Sequence, residues 1–370
     1  MLHKEIFQKI KDSNLCGRGG AGFPVWRKWS FVAEASKNKK SEKVYVICNG
    51  SEGEPGVKKD EYILENYPER VIDGMRTAMN FLKYHNSSNR PSVRGYIYLN
   101  NRFYRKFSQS LRSIIHNDEI EIFLKPKKAG YIGGEETSVI NTIEGKRIEP
   151  RLRPPFPVEN GLWGSPTLVN NVETFYDVSL IAHNEYEQKR FYTIGGDVIH
   201  KGVFLLDEKR TINEILFETS NHPLRNEHNR AKYDFFVQIG GDGCGEILNS
   251  SQLDNSVSGG GLITVHSLTR HNPIELITSW IKFFYSESCG QCVPCREGLS
   301  RMFNILRDGD IKWKMFFEIL NSLEESSFCG LGGSVHIPIK SYVENVIKKY
   351  QPQELNISEN NYKLIVDAGL

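Results

Sequence analysis

Residues 44–60 read VYVICNGSEGEPGVKKD. The first five are apolar or aromatic without a polar alternate, the pattern of a strand buried on both faces. The run NGSEGEPG that follows is polar and turn-prone, so the strand ends there. The spacing then predicts a long helix over 60–84, strands over 93–99 and 119–124, and a basic helix between those strands. Strands alternating with helices imply a parallel α/β sheet. In open α/β sheets, ligands bind beyond the C-terminal strand ends. Glu52 and Glu54 stand in such a place and can accept hydrogen bonds from ribityl, ribose or carboxamide groups. A solvated acidic loop fits those two residues equally well.

Upstream, residues 2–11 have helical spacing with Ile6 and Ile10 on one face. The loop Gly17-Arg18-Gly19-Gly20-Ala21-Gly22 formally matches G-x-G-x-x-G. The dinucleotide fingerprint requires a strand just before it, and here a polar helical stretch leads in. Such a loop still brings bare backbone N–H groups to a phosphate or a flat ring, with Arg18 and Lys28 adding positive charge. Phe23, Pro24, Trp26 and Trp29 imply a packed loop rather than a loose surface turn.

Downstream, Gly133 and Gly134 precede an expected helix over 135–144. Glu135 and Glu136 in its first turn are explained by the helix dipole alone. Residues 150–166 hold five prolines and carry Arg151, Arg153 and Phe156, two cations and an aromatic face on which a purine or the protein's own core could stack. Asn170-Asn171 suits an N-cap, which explains one asparagine and leaves the other free. From 191 to about 248 the pattern changes to short strands and turns, a small α+β module. Beyond about 272 it reads as helices, with apolar spacing over 302–311, 313–323 and 339–347.

The cysteines carry the strongest signal. Of seven, Cys16, Cys48 and Cys244 are scattered, while Cys289, Cys292 and Cys295 form C-x2-C-x2-C within ESCGQCVPCREG. Cys329, in FCGLGG, supplies a distant fourth. Three clustered thiolates plus one remote suit the corners of a [4Fe–4S] cubane. Structural zinc more often takes two separated pairs, and plain buried thiols are the third possibility. The ten histidines show no metal-like spacing, and hydrolase, zincin and P-loop signatures are absent.

A formal charge of +2 gives no support to a nucleic-acid role. With 39% hydrophobic and 25% charged residues, the chain is not broadly disordered. No apolar stretch approaches the roughly 20 residues that span a bilayer. Residues 1–11 are mixed in charge and unlike a secretory signal. The expectation is a cytoplasmic protein without membrane insertion, peripheral to a membrane at most through a complex.

Long strings now combine in order: GRGGAGFPVWRKW from Gly17, CNGSEGEPGVKKD from Cys48, AGYIGGEETSVINTIEG from Ala129, PRLRPPFPVENGLWGSPTLVNNVET from Pro150, and the two cysteine motifs. Together they resemble the NADH-binding flavoprotein subunit of respiratory complex I and the diaphorase subunits of NAD-linked hydrogenases and formate dehydrogenases. The resemblance implies a Rossmann-like FMN- and NADH-binding α/β domain over 1–188. It implies a ubiquitin-like (SLBB-type) module over 189–268, a helical iron–sulfur domain over 269–350 and a tail over 351–370. It implies hydride transfer from NADH to FMN, then single electrons to a [4Fe–4S] cluster, with no side chain acting as a covalent catalyst. Partners would be a thioredoxin-like [2Fe–2S] subunit and further iron–sulfur subunits.

Carried over by position, Gly17, Arg18, Gly19, Lys28, Asn49, Ser51, Glu52, Gly134, Asn170, Asn171 and Thr174 would line FMN, with Tyr131 and Glu135 supporting the pocket. Gly20, Ala21, Phe23, Glu54, Glu136, Arg153 and Phe156 would face the nicotinamide nucleotide. The cluster ligands would be Cys289, Cys292, Cys295 and Cys329. Five residues depart from the family pattern. Ser51 stands where aspartate is usual, Gly133 where many relatives have cysteine, Val25-Trp26 where a small pair is usual, and Arg153 where lysine is common. A relay subunit with a degenerate flavin site and a zinc-stabilised interaction module are the rival readings.

Overall fold

The computed structural model describes residues 2–85, 90–116, 119–223, 234–257, 259–308 and 310–369. The chain divides into two compact units. The first comprises Met1–Gly53 and Lys58–Glu187, the second Glu54–Val57 and Gln188–Leu370.

In the first unit, α1 (Leu2–Asp12) and α2 (Val25–Asn38) precede β1 (Lys43–Gly50). The helix expected over 60–84 is two helices, α3 (Lys59–Asn66) and α4 (Pro68–Tyr84). Pro68 lacks the N–H that a continuous helix needs and biases the preceding residue away from helical backbone. Tyr67 accordingly sits at φ −139° and serves both helix ends. There follow β2 (Ser92–Leu99), α5 (Asn101–Ile115), β3 (Ile120–Leu124) and α6 (Glu136–Ile143). The proline-rich segment contains the short α7 (Pro157–Asn160), and then come β4 (Thr167–Asn171) and α8 (Val172–Ala182).

The four strands form a wholly parallel sheet in the order β3-β2-β1-β4. Tyr45, Ile47, Tyr96, Tyr98 and Val169 turn one face to Val139, Ile140 and Ile143 of α6. On the opposite face, Gly95 meets Met75 and Met79 of α4. Burial on both faces is why VYVIC shows no alternation.

Helices α4 and α8 pack closely. A Cβ on Gly74 would lie 1.8 Å from the carbonyl oxygen of Phe175. Gly74→Ala therefore forces the two helices apart, at a cost of about 3 kcal/mol or more. Urea unfolding should show the midpoint displaced by that amount; an unchanged midpoint would mean that the helices slide freely.

In the second unit, β5 (Lys189–Gly196), β6 (Gly202–Asp207), α9 (Ile212–Glu218), β7 (Phe235–Ile239), β8 (Glu246–Asn249) and β9 (Leu262–Ser267) build a mixed sheet in the order β6-β5-β9-β7-β8. Ile212, Ile215 and Leu216 of α9 pack on Tyr192, Val237 and Ile263 of the sheet, a ubiquitin-like arrangement. The helical region follows: α10 (Pro273–Glu287), α11 (Val293–Arg307), α12 (Trp313–Ser326), α13 (Gly330–Gly333) and α14 (His336–Asn345). The helix expected over 302–311 is the second half of α11, which ends at Arg307. Within the segment expected as a tail, α15 (Glu359–Ala368) buries Ile365, and Asn361 accepts the indole N–H of Trp313. Among the described residues, no helix is long and apolar enough to cross a membrane.

Candidate functional site

The parallel register places the C-terminal ends of β1, β2 and β4 along one edge, the edge at which open α/β sheets bind ligands. Ser51 and Glu52 follow β1, Asn100 follows β2, and Asn171 closes β4. Asn100 donates to the Ser51 carbonyl at 2.9 Å, and Asn49 donates to the Gly134 carbonyl at 2.8 Å. These side-chain bonds tie the loop after β1 to the rest of the edge.

The glycine loop lies against it. Cys16 bridges to Pro24, closing the loop at its base, and Gly17 N–H donates to the Phe23 carbonyl. A Cβ on Gly19 would touch Asn171 Cβ at 3.4 Å, so the loop backs onto β4. Gly20 and Gly22 have φ of +112° and +62°, and a Cβ on either would meet nothing within 4 Å. The loop is thus packed on one side and presents bare backbone on the other. That cradle, edged by asparagines and acids, fits a flat ring with a polyol and phosphate tail.

The cations of the loop are engaged by partners far away in sequence. Arg18 is buried, its guanidinium pairs with Asp177 at 3.1 Å, and its N–H donates to Thr174 Oγ1 at 2.9 Å. Lys28 reaches Glu136 at 2.7 Å and the Val169 carbonyl at 3.0 Å. Arg153 pairs with Glu135 and lies 3.8 Å from Glu136, so charges alternate along Lys28, Glu136, Arg153 and Glu135. Glu135 also caps α6, accepting from the N–H groups of Thr137 and Ser138 at 2.9 Å each.

Asn170 is buried; with its amide turned to satisfy both neighbours it accepts from the Trp29 indole and donates to the Val169 carbonyl. Asn170 and Thr174 therefore spend their side chains on neighbouring protein groups. Asn171 is the N-cap of α8, accepting from Glu173 N–H at 3.0 Å. Phe23 and Phe156 are 39% and 49% exposed, available aromatic faces. Gly133 has no room for the cysteine of relatives, because a Cβ there would lie 2.6 Å from Ala129 Cβ. Tyr131 packs under Gly53, whose Cβ would sit 3.3 Å from its ring.

A buried charge network underlies this edge and was not visible in the sequence. Lys59 donates to Asp60 at 2.7 Å and to Asn171 at 2.9 Å, and forms an ion pair with Glu173 at 3.0 Å. Asn171 in turn donates to Asp60 at 2.7 Å. Burial opposes the charge on Lys59, but Asp60 and Glu173 outweigh it and raise its pKa. Glu52 accepts from Asp60 N–H at 2.6 Å and more weakly from Glu61 N–H at 3.3 Å.

Glu54 belongs to the second unit. Its carboxylate accepts from the N–H groups of Gly243 (3.0 Å) and Cys244 (3.2 Å), and from the Cys244 thiol at 3.2 Å.

The four grouped cysteines lie at helix ends. Cys289 follows α10, Cys292 caps α11 with Pro294 in the first turn, and Cys329 caps α13. Pro294 is tolerated there because a first-turn N–H has no intrahelical acceptor. Burial pushes the Cys295 thiol up to about 11, the Ser288 hydroxyl at 3.2 Å counters it, and the other three cysteines raise it further. Burial also raises Cys329, against hydrogen bonds from the N–H groups of Leu331 and Gly332. Backbone donors aimed at a sulfur, small residues at Gly330 and Gly333, and four mutually repelling thiols fit a cluster that takes thiolates. Among the described residues, no group of three or more histidine, cysteine or acidic side chains is placed to hold a metal ion. A cubane distributes its ligands over separate iron corners.

Comparison with known proteins agrees with this division. Residues 10–180 match the family described as the Nuo51 FMN-binding domain, and residues 275–353 match the NADH-ubiquinone oxidoreductase-F iron–sulfur binding region. The chain is 31% identical to the NADH-quinone oxidoreductase F subunit of Aquifex aeolicus, over 95% of this chain and 86% of that protein. It is 31% identical to the alpha subunit of the NAD-reducing hydrogenase HoxS of Cupriavidus necator, spanning 60% of it. Its fold matches the crystal structure of an NAD+-reducing [NiFe]-hydrogenase in the H2-reduced state with a TM-score of 0.81 and 26% identity, covering 96% of this chain and 63% of that longer one. An α/β unit with an FMN cradle, followed by a helical iron–sulfur region, defines a flavoprotein oxidoreductase subunit. The chain belongs to the family of NADH-quinone oxidoreductase F subunits. Membership carries FMN, a [4Fe–4S] cluster and NADH as substrate, and favours the enzyme over the relay and zinc readings.

Proposed function

We propose that this chain oxidises NADH on FMN held at the C-terminal edge of the parallel sheet, and passes the electrons through its cluster to iron–sulfur partner subunits. FMN converts a two-electron donor into a source of single electrons; the protein supplies binding, orientation and electrostatics. The observation that carries the reading is the pairing, in one chain, of the open glycine cradle backed by Asn171 with the four thiols at α11 and α13.

In this reading Gly17, Gly19, Asn49, Ser51, Glu52, Gly134 and Asn171 surround the flavin. Asn170, Thr174, Tyr131 and Glu135 hold that shell in place. Arg18 acts through its ion pair with Asp177, fixing the loop, while its backbone stays at the flavin. Lys28 and Arg153 flank Glu136 and set the charge on the nucleotide side. Gly20 and Ala21 let the nucleotide approach, and Phe23 and Phe156 offer it aromatic faces. Glu54, clamped by Gly243 and Cys244, accepts from the nicotinamide end. Cys289, Cys292, Cys295 and Cys329 ligate the cluster. The partners include a thioredoxin-like [2Fe–2S] subunit, and a place at the membrane would come through such a complex.

Anaerobically purified chain should show flavin bands on a broad iron–sulfur shoulder, and NADH should bleach both. A brown, flavin-free protein unmoved by NADH would return the relay reading.

A further inference from the structure

Three carboxylates, Glu52, Asp60 and Glu173, gather around one lysine. Lys59, Asp60 and Glu173 are almost wholly buried, at 3%, 2% and 0% exposure. Lys59 donates to Asp60 and Asn171 and ion-pairs with Glu173, and none of these contacts goes to Glu52. Glu52 is left with two backbone N–H donors at the start of α3.

The charges facing it from the neighbouring elements are mostly negative. On α3 they are Lys59, Asp60 and Glu61, and Glu173 of α8 pairs with that lysine. The Cys48 thiol of β1 lies in the field of Asp60, and Glu61 is itself paired outward with Arg102 and Lys106 of α5. Asp60 and Glu173 already pair with the single lysine, so a further negative charge beside them is disfavoured. Burial first, then the Asp60 charge, raises Glu52 to about 8, against the pull of Lys59 and the two N–H donors.

The backbone holds the group there. Glu52 has φ +27°, a conformation that non-glycine residues rarely adopt and that surrounding structure must enforce. Next to it, Ser51 lies against Gly134: a Cβ on Gly134 would meet Ser51 Oγ at 2.4 Å, so no carboxylate of the usual aspartate intervenes.

We propose that Glu52 is a proton-binding positioning residue of the flavin pocket, whose carboxyl takes a proton from solvent when the flavin is reduced. The inference rests on the FMN pocket argued above. Two electrons reach the flavin as the hydride of NADH. The additional proton comes from water and forms an O–H bond on Glu52, and Glu52 itself is neither oxidised nor reduced. Added negative charge on the flavin raises the proton affinity of a neighbouring carboxyl. Well below the pH at which Glu52 titrates, it is protonated in both flavin states and contributes nothing. Just above that pH, the oxidised protein has lost the proton and the reduced protein keeps it, so reduction takes up one more proton.

The test is potentiometric titration of the flavin in the full chain from pH 6 to 10, with FMN content measured by fluorescence after acid release. Wild-type protein should show a potential that falls more steeply with pH just above about pH 8 and then flattens. Glu52→Gln, neutral throughout, should lose the steep interval while keeping its FMN. A wild-type profile without that interval, or the same interval in Glu52→Gln, overturns the proposal. If the glutamine variant does not retain FMN, the wild-type profile decides alone. If wild-type chain releases no FMN, the pocket reading falls and this inference with it.

Discussion

Cys329→Ser is expected to strip the iron and acid-labile sulfide from the chain while leaving its flavin in place. Cys329 lies far along the chain from the three grouped cysteines, at the cap of α13, and in the proposed ligand set it is the thiol supplied by a separate element. Serine offers a harder, more basic oxygen in place of a soft thiolate, and iron–sulfur clusters select thiolates. The substituted side chain also loses the N–H donors of Leu331 and Gly332 as sulfur partners. Losing an outer-shell contact to a metal site costs ~10–100-fold, and losing a ligand should exceed that in electron delivery to a one-electron acceptor. NADH should still bleach the flavin, because the α/β unit is untouched. Cys16→Ser serves as the control and should keep its iron. Full iron content in Cys329→Ser would mean that the ligand set has been misassigned.

Lys59→Met is expected to be the most destabilising single change in the α/β unit. It removes the one cation from a site where Asp60 and Glu173 are almost wholly buried. Breaking a buried pair by deleting one partner costs about 3–5 kcal/mol, because the remaining charge stays uncompensated. For a unit of this size that is a fall in melting temperature of roughly 10 °C. The wild-type lysine, with its pKa raised, contributes stability that is fully present below its unfolded pKa and is lost only in strong alkali. The variant's deficit should shrink in acid, since a carboxyl that has taken up a proton no longer needs a cation. Scanning calorimetry at pH 5 and pH 8 reads both effects. Equal melting temperatures for the two proteins at pH 8 would show that water already reaches the site.

Local chemistry made part of this legible in the sequence. VYVIC announced a strand buried on both faces, and the polar run after it marked the sheet edge that carries the candidate site. Pro68 was a visible helix breaker inside the run read as one helix, and the apolar periodicity on either side of it masked the break. The strand β4 was missed: Thr167–Asn171 is short, and its two asparagines read as a helix cap. Asn171 does cap α8, but it also stands on β4 and holds Lys59 and Asp60. Arg18 and Lys28 looked like free positive charge in a glycine loop. Their partners, Asp177 and Glu136, lie more than a hundred residues away, a separation that no local pattern reveals. The same holds for Glu173 in the buried network. The four grouped cysteines were the easiest candidates to pick out, since their spacing is written directly into the chain.

The clamp on Glu54 bears on how the chain is made. Glu54–Val57 leave the first unit between Gly53 and Lys58 and join the second, where Gly243, Cys244 and Leu262 meet them. During synthesis these four residues emerge long before their partners exist. At ordinary elongation rates the wait is roughly ten to forty seconds. For that interval the loop after β1, beside the flavin edge, has its middle untethered. Translation speed, and anything that binds these four residues early, thus bears on when this part of the second unit closes.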